Sequence, residues 1–236
     1  MNIKKHIPNT ITCCNLVSGC VAITFALYGN PLMAFAWIVV GAVFDFFDGM
    51  AARLLHVSSP IGKELDSLAD VVTFGVAPSA IVYFEMGVMQ YPAFLEPLRS
   101  YLPYAAFVMA AFSALRLAKF NLDERQSTSF VGLPTPANAL FWGALVVGAS
   151  ERIESSPYMV LAILAMILVS SYILVAEIPM FALKFKQWGW KGNEVKYIFI
   201  LTSAIFLALF RLPAFSIVVV WYVLLSVVVN RKHDIS

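Results

Sequence analysis

Four aspartates stand in two pairs within otherwise apolar sequence: Asp45 and Asp48, three residues apart, and Asp66 and Asp70, four apart. Gly49, Ala52, Arg53 and Gly62 are set among them. Both spacings return to one side of a helix, because a turn takes about 3.6 residues. With Asp45 at zero, Asp48 falls about 60° to one side, Gly49 about 40° to the other and Ala52 about 20° away. Gly41 extends that stripe, and Ala69, Thr73 and Ala77 continue the face of the second pair. Small residues between acids leave a groove in which a ligand can approach the backbone. A carboxylate near a lipid core costs roughly 2.5–3.5 kcal/mol, so four of them need strong partners. Oxygen ligands with no His or Cys at matching spacing suit Mg²⁺, Mn²⁺ or Ca²⁺ and not zinc. Two such cations bridged by carboxylates stabilise a displacement at phosphorus.

Two other readings compete. Ion pairs with Arg53, Lys63 or Arg116 could fix helix packing, but they would leave the cluster net negative. A cation or proton transporter also places carboxylates within the membrane. Here the acids crowd one edge, and no chain of polar residues crosses to the other side.

The elements that must carry this cluster are membrane helices. The chain is 61% hydrophobic and only 13% charged, with a mean hydropathy of +0.82, against about 25% charged residues in soluble domains. A net charge of +2 argues against nucleic acid, and the basic residues gather at segment ends, where they meet anionic lipid. An all-α, polytopic transmembrane helical bundle of about eight spans is expected: Ile11–Leu27, Pro31–Leu54, Ser67–Met86, Tyr101–Phe120, Pro134–Gly148, Pro157–Ile178, Val195–Phe210 and Pro213–Val229. The motif occupies 45–70 of a single domain, 1–236, and the last two spans, about 195–230, are accessory.

Thirteen of the 16 Lys and Arg residues fall on one side, with Arg99, Arg152 and Arg211 opposite. That bias puts both termini and the aspartates at the cytoplasmic face of the inner membrane. Asp45 lies about 21 Å along its helix from Pro31, in the cytoplasmic third of a core about 30 Å thick. The N-terminus looks like a signal peptide, but Asn9, Thr12 and Asn15 interrupt its apolar run. Cys13, Cys14 and Cys20 are expected to be buried packing thiols. His56 reads as a solvated loop residue, Trp188, Trp190 and Tyr197 as an interfacial belt, and Lys184, Lys186, Lys191 and Lys196 as contacts to anionic lipid.

The run Asp45-x2-Asp48-Gly49-x2-Ala52-Arg53-x8-Gly62-x3-Asp66-x3-Asp70 resembles the complete signature of the CDP-alcohol phosphotransferase family. The resemblance implies a helical membrane fold, usually homodimeric, that displaces CMP from a CDP-linked lipid or alcohol with a second alcohol, using divalent metal. Carried over by position, Asp45, Asp48 and Asp66 would hold two cations, Mg²⁺ or Mn²⁺, with Ca²⁺ also admitted. Asp66 would bridge them. Asp70 would take the proton of the incoming hydroxyl and belongs to the same ligand group. Asp48, Gly49, Ala52, Arg53, Gly62 and Asp66 would bind CDP-diacylglycerol, Arg53 either clamping a phosphate or snorkelling at a helix end.

Residues outside that signature bear on the acceptor. Ile7-Pro8-Asn9-Thr10-Ile11-Thr12, Asn15-Leu16, Leu115-Arg116-Leu117-Ala118-Lys119-Phe120-Asn121 and Gly132-Leu133-Pro134-Thr135-Pro136-Ala137 resemble the phosphatidylserine synthase branch of that family. The likeness implies CDP-diacylglycerol and L-serine as substrates. Arg116 and Lys119, one turn apart, would then meet the serine carboxylate or the lipid phosphate, and Asn121, Thr135 and Asn138 would supply hydrogen bonds. The positive-inside bias is an equal account of the two cations. Glycerol phosphate or inositol phosphate as acceptor would call for more cationic residues than these two.

Overall fold

The computed structural model describes residues 6–57, 59–122, 130–181, 189–190 and 192–233, with the side chains of residues 130 and 230–233 left aside. Lys184, Lys186, Trp188 and Lys191 lie outside the described residues. Helices dominate: α1 His6–Leu27, α2 Pro31–Leu54, α3 Pro60–Asp70, α4 Ala77–Val88, α5 Val108–Leu122, α6 Thr135–Glu154, α7 Met159–Val175, α8 Glu194–Phe210 and α9 Ala214–His233. A two-residue antiparallel pairing, Phe130–Val131 with Pro179–Met180, ties the segment before α6 to the one after α7.

Local sequence sets the starts that matter to the site. Asn30 accepts from the Met33 amide at 3.0 Å and Pro31 opens α2; Ser59 accepts from the Gly62 amide at 3.0 Å and Pro60 opens α3. A capping side chain followed by proline satisfies one orphan N–H and needs none at the next position. His56, exposed and at φ +50°, turns the chain between the two acidic helices. The third span therefore begins at Pro60, seven residues before the expected Ser67. It runs to Val88 as one rod.

That rod is interrupted by a widened π turn over Val71–Val76, directly after Asp70. A π turn advances the side-chain register of all that follows relative to an α-helix. Here the shift turns Thr73 onto α1, where its hydroxyl donates to the Asn15 carbonyl at 3.0 Å.

Among the described residues four helical stretches are long and apolar enough to cross a bilayer: His6–Leu27, Pro31–Leu54, Pro60–Val88 and Leu102–Leu122; Met159–Val175 and Ala214–Val229 are shorter apolar helices. The core collects Phe35, Ile38, Phe74, Ile81, Met109, Trp142, Ile163 and Ile167, all fully buried. Trp142 resolves its own polar atom by donating to Ser170 Oγ at 3.1 Å. The outward faces are apolar too: Phe46 and Phe47 are exposed beside Asp45 and Asp48. Such a surface suits lipid and not water. The cysteines depart from expectation, since Cys13 and Cys20 are exposed and only Cys14 is half-buried. Two turns apart, Cys13 and Cys20 share the outer face of α1, whose inner face is taken by Thr12, Asn15 and Gly19.

Candidate active site

The hairpin of α1 and α2 and the following α3 bring the two aspartate pairs together. One carboxylate oxygen from each of Asp45, Asp48 and Asp66 lies within 4.8 Å of the other two. Asp45 reaches both Asp66 and Asp70 at hydrogen-bonding range. Asp48 and Asp70 are buried, Asp45 and Asp66 half-buried.

Among the described residues no Lys or Arg forms an ion pair with these aspartates, although Arg116 is near enough for the Asp70 charge to act on it. Among the described residues the ion pair is Arg99 with Glu96, far along the chain, and Lys63 donates its Nζ to the Asn121 carbonyl at 2.9 Å. Asp66 keeps one buried carboxylate oxygen without a hydrogen-bond partner. Three converging carboxylates with an orphaned buried oxygen, and with no ion-paired Lys or Arg among the described residues, fit a divalent cation, whose preferred ligands are hard oxygens. The ion-pair account of the aspartates therefore fails on geometry.

Two residues of α1 hold the outer members of the cluster. Thr12 Oγ1 stands 2.6 Å from Asp48 Oδ2 and 3.1 Å from the Pro8 carbonyl, so its single proton goes to the shorter, charged partner. Asn15 donates from Nδ2 to Asp70 Oδ1 at 3.2 Å. These two are the functional residues that the aspartate pattern alone misses. Their signal was present: a Thr and an Asn three apart on one face of an apolar helix, where each needs a partner.

Beside the cluster opens a cavity of about 260 Å³ lined by Pro8, Asn9, Thr12, Asp48, Gly49, Ala52, Val57, Ser59, Gly62, Lys63 and Asp66. Gly49, Ala52 and Gly62 thus share one wall with two of the carboxylates. Arg53 is exposed and does not line the cavity, though its Nη1 would lie 3.7 Å from a Cβ placed on Gly49. Lys63, considered from the sequence only as an ion-pair partner, lines the cavity.

The acceptor-side residues divide. Arg116 is buried, near enough for the Asp70 charge to act on it, and its Nε has no partner; Lys119, one turn on, is exposed. Asn121 donates one Nδ2 proton to Ser67 Oγ at 2.8 Å, which fastens α5 to α3. Thr135 and Asn138 are fully buried with side-chain atoms unpartnered. Asn138 lines a second cavity, of about 240 Å³ and almost wholly apolar, between α6, α7 and α9.

A bundle of apolar helices that brings four carboxylates together beside a cavity of about 260 Å³, two of them lining it, defines the class. The chain belongs to the CDP-alcohol phosphatidyltransferase family, whose model matches residues 5–183. It is similar to the CDP-diacylglycerol–serine O-phosphatidyltransferase of Bacillus subtilis, 42% identical over 132 residues, covering 56% of this chain and 70% of that one. The Helicobacter pylori (strain J99) protein of the same name is 40% identical over 56% of this chain, which spans about half, 54%, of its length. The Methanocaldococcus jannaschii protein, again of that name, is 31% identical over 89% of this chain and 87% of its own.

Proposed function

We propose that this protein transfers the phosphatidyl group of CDP-diacylglycerol to the hydroxyl of L-serine, giving phosphatidylserine and CMP. One observation carries the chemistry: three converging carboxylates and a fourth beside them, set against a cavity whose wall is made of Gly49, Ala52 and Gly62. The shared name of the relatives from Bacillus subtilis, Helicobacter pylori and Methanocaldococcus jannaschii supports serine as the acceptor.

Asp45, Asp48 and Asp66 would hold two divalent cations, Mg²⁺ or Mn²⁺ with Ca²⁺ also admitted, and Asp66 would bridge them. Bound there, the cations would withdraw charge from the diphosphate and offset the charge that develops on the departing CMP oxygen. The protein's own groups do the rest. Gly49, Ala52 and Gly62 let the nucleotide approach backbone, and Arg53 at the rim meets a phosphate. Asp70 accepts the proton of the serine hydroxyl. The serine oxygen then forms its bond to the phosphorus that carries diacylglycerol, and the bond from that phosphorus to the CMP oxygen breaks, its electron pair leaving with CMP. Arg116 faces the serine carboxylate, with Lys119, Thr135 and Asn138 toward the acceptor side.

The proposal extends to placement. It takes the chain as a single domain over 1–236 with eight spans, a homodimer in the inner membrane, and the Lys and Arg distribution supports both termini and the active site facing the cytoplasm. Glycerol phosphate or inositol phosphate is disfavoured as acceptor because, among the described residues, Arg116 is the one buried cation. Purified protein incubated with CDP-diacylglycerol, Mg²⁺ or Mn²⁺ and each alcohol in turn tests the reading. CMP release with serine supports it, and release only with glycerol phosphate defeats the acceptor assignment.

A further inference from the structure

Among the described residues that line the cavity beside the aspartates, Lys63 is the one cation. Arg53, the basic residue of the signature, stands outside that wall. The wall otherwise presents the carboxylates of Asp48 and Asp66 to an incoming diphosphate, and like charges repel.

The start of α3 puts Lys63 there. Ser59 Oγ accepts from the Gly62 amide at 3.0 Å, and a Cβ on Gly62 would stand 3.0 Å from both Asn9 Oδ1 and Ser59 Oγ, so the first turn of α3 lies tight against the first turn of α1. Lys63 follows directly and is exposed. Its ammonium serves another helix: Nζ donates to the Asn121 carbonyl at 2.9 Å, in the last turn of α5, where carbonyls lack partners within the helix. Asn121 returns a second bond to α3, from Nδ2 to Ser67 Oγ at 2.8 Å, one turn beyond Lys63.

These two bonds differ in kind. The Ser67 bond joins neutral groups, whereas the Lys63 bond sets a full positive charge on a neutral carbonyl. A phosphate oxygen offers the ammonium an acceptor that also carries the opposite charge. A phosphate in the cavity therefore draws Nζ from Asn121, while the Ser67 bond keeps α5 on α3.

We propose that Lys63 is a phosphate-binding residue of this cavity, its ammonium leaving the Asn121 carbonyl to pair with the diphosphate of the CDP-linked lipid. This rests on the reading of the cavity as the CDP-diacylglycerol site. It gives a role to one of the three positions between Gly62 and Asp66 that the signature leaves open.

Lys63→Met keeps a long stem and removes the charge. Inhibition of phosphatidylserine formation by CDP should weaken at least about tenfold, the scale of losing a hydrogen bond to a charged group, and the KM for CDP-diacylglycerol should rise with it. The serine KM should stay within about twofold. Lys63→Arg, which keeps a cation on the wall, should recover at least part of the CDP inhibition. A residue that only fastens α5 gives another pattern: Lys63→Met then melts lower and raises the serine KM, because α5 carries Arg116, with CDP inhibition unchanged. That pattern, or equal weakening by Met and Arg, would overturn the assignment. Wild-type protein that CDP fails to inhibit would defeat the nucleotide reading of the cavity itself, and this role with it.

Discussion

Thr12 on α1 donates its hydroxyl proton to Asp48 on α2 at 2.6 Å, across 36 residues of sequence. The bond fixes which way one carboxylate of the cluster faces, as an outer-shell partner fixes a metal ligand. Thr12→Val preserves shape and removes the donor. Metal affinity, read from the concentration of Mn²⁺ giving half-maximal CMP release, should weaken about 10- to 100-fold. An unchanged activation curve would mean that Asp48 is oriented by something else.

Asp70 stands apart from the three-carboxylate group yet within reach of Asp45. Asp70→Asn should therefore separate proton transfer from metal binding. Turnover should fall about 10²- to 10⁴-fold, the usual worth of a positioned general base, while the rise in melting temperature on adding Mg²⁺ persists. Full turnover in the variant would remove Asp70 from the role of base.

Removing metal should abolish CMP release, and restoring Mg²⁺ or Mn²⁺ should bring it back. A cation held at 100 times its Kd stabilises the folded protein by about 2.7 kcal/mol, so melting should rise with added metal. Asp66→Asn should lose both effects. In chelator it should melt no lower than wild type, because one of three crowded like charges is gone. A chelator-treated wild type with undiminished turnover would sink the two-cation reading.

Two glycines should answer alanine in opposite ways. A Cβ on Gly19 would come within 2.8 Å of the Thr73 Cα, backbone that cannot step aside, so Gly19→Ala should cost about 1–3 kcal/mol by parting α1 from the π turn. Around Gly49 the nearest atom to a new Cβ is Arg53 Nη1 at 3.7 Å, and the space beyond is the cavity. Gly49→Ala should leave stability equal or raise it by up to about 1 kcal/mol through helix propensity, while the KM for CDP-diacylglycerol increases. Thermal melts and substrate titrations on the pair check both signs; a destabilised Gly49→Ala with normal KM would contradict the cavity assignment.

Sequence alone was enough to bring out the aspartate site, because 100° per residue is a property of any helix and the two acidic stripes follow from spacing. The same arithmetic placed Gly49 and Ala52 on one stripe with the acids, and both line the cavity. It did not reach Lys63, which joins that wall because Ser59 and Pro60 start α3 early enough to include it. Nor did it reach the bond that Asn121 donates to Ser67, 54 residues away in sequence.

Composition and helical period determined that this chain is a membrane bundle with four carboxylates on two facing stripes. Only the tertiary structure decided that Thr12 and Asn15 orient two of those acids, that the π turn after Asp70 sends Thr73 back to α1, and that Arg116 is enclosed while Lys119 faces out. The physical reason is range. Periodicity is written into neighbouring residues, but the partner of a buried polar atom is set by how separate helices meet, and in lipid each such atom takes whichever group the packing brings within 3 Å or so.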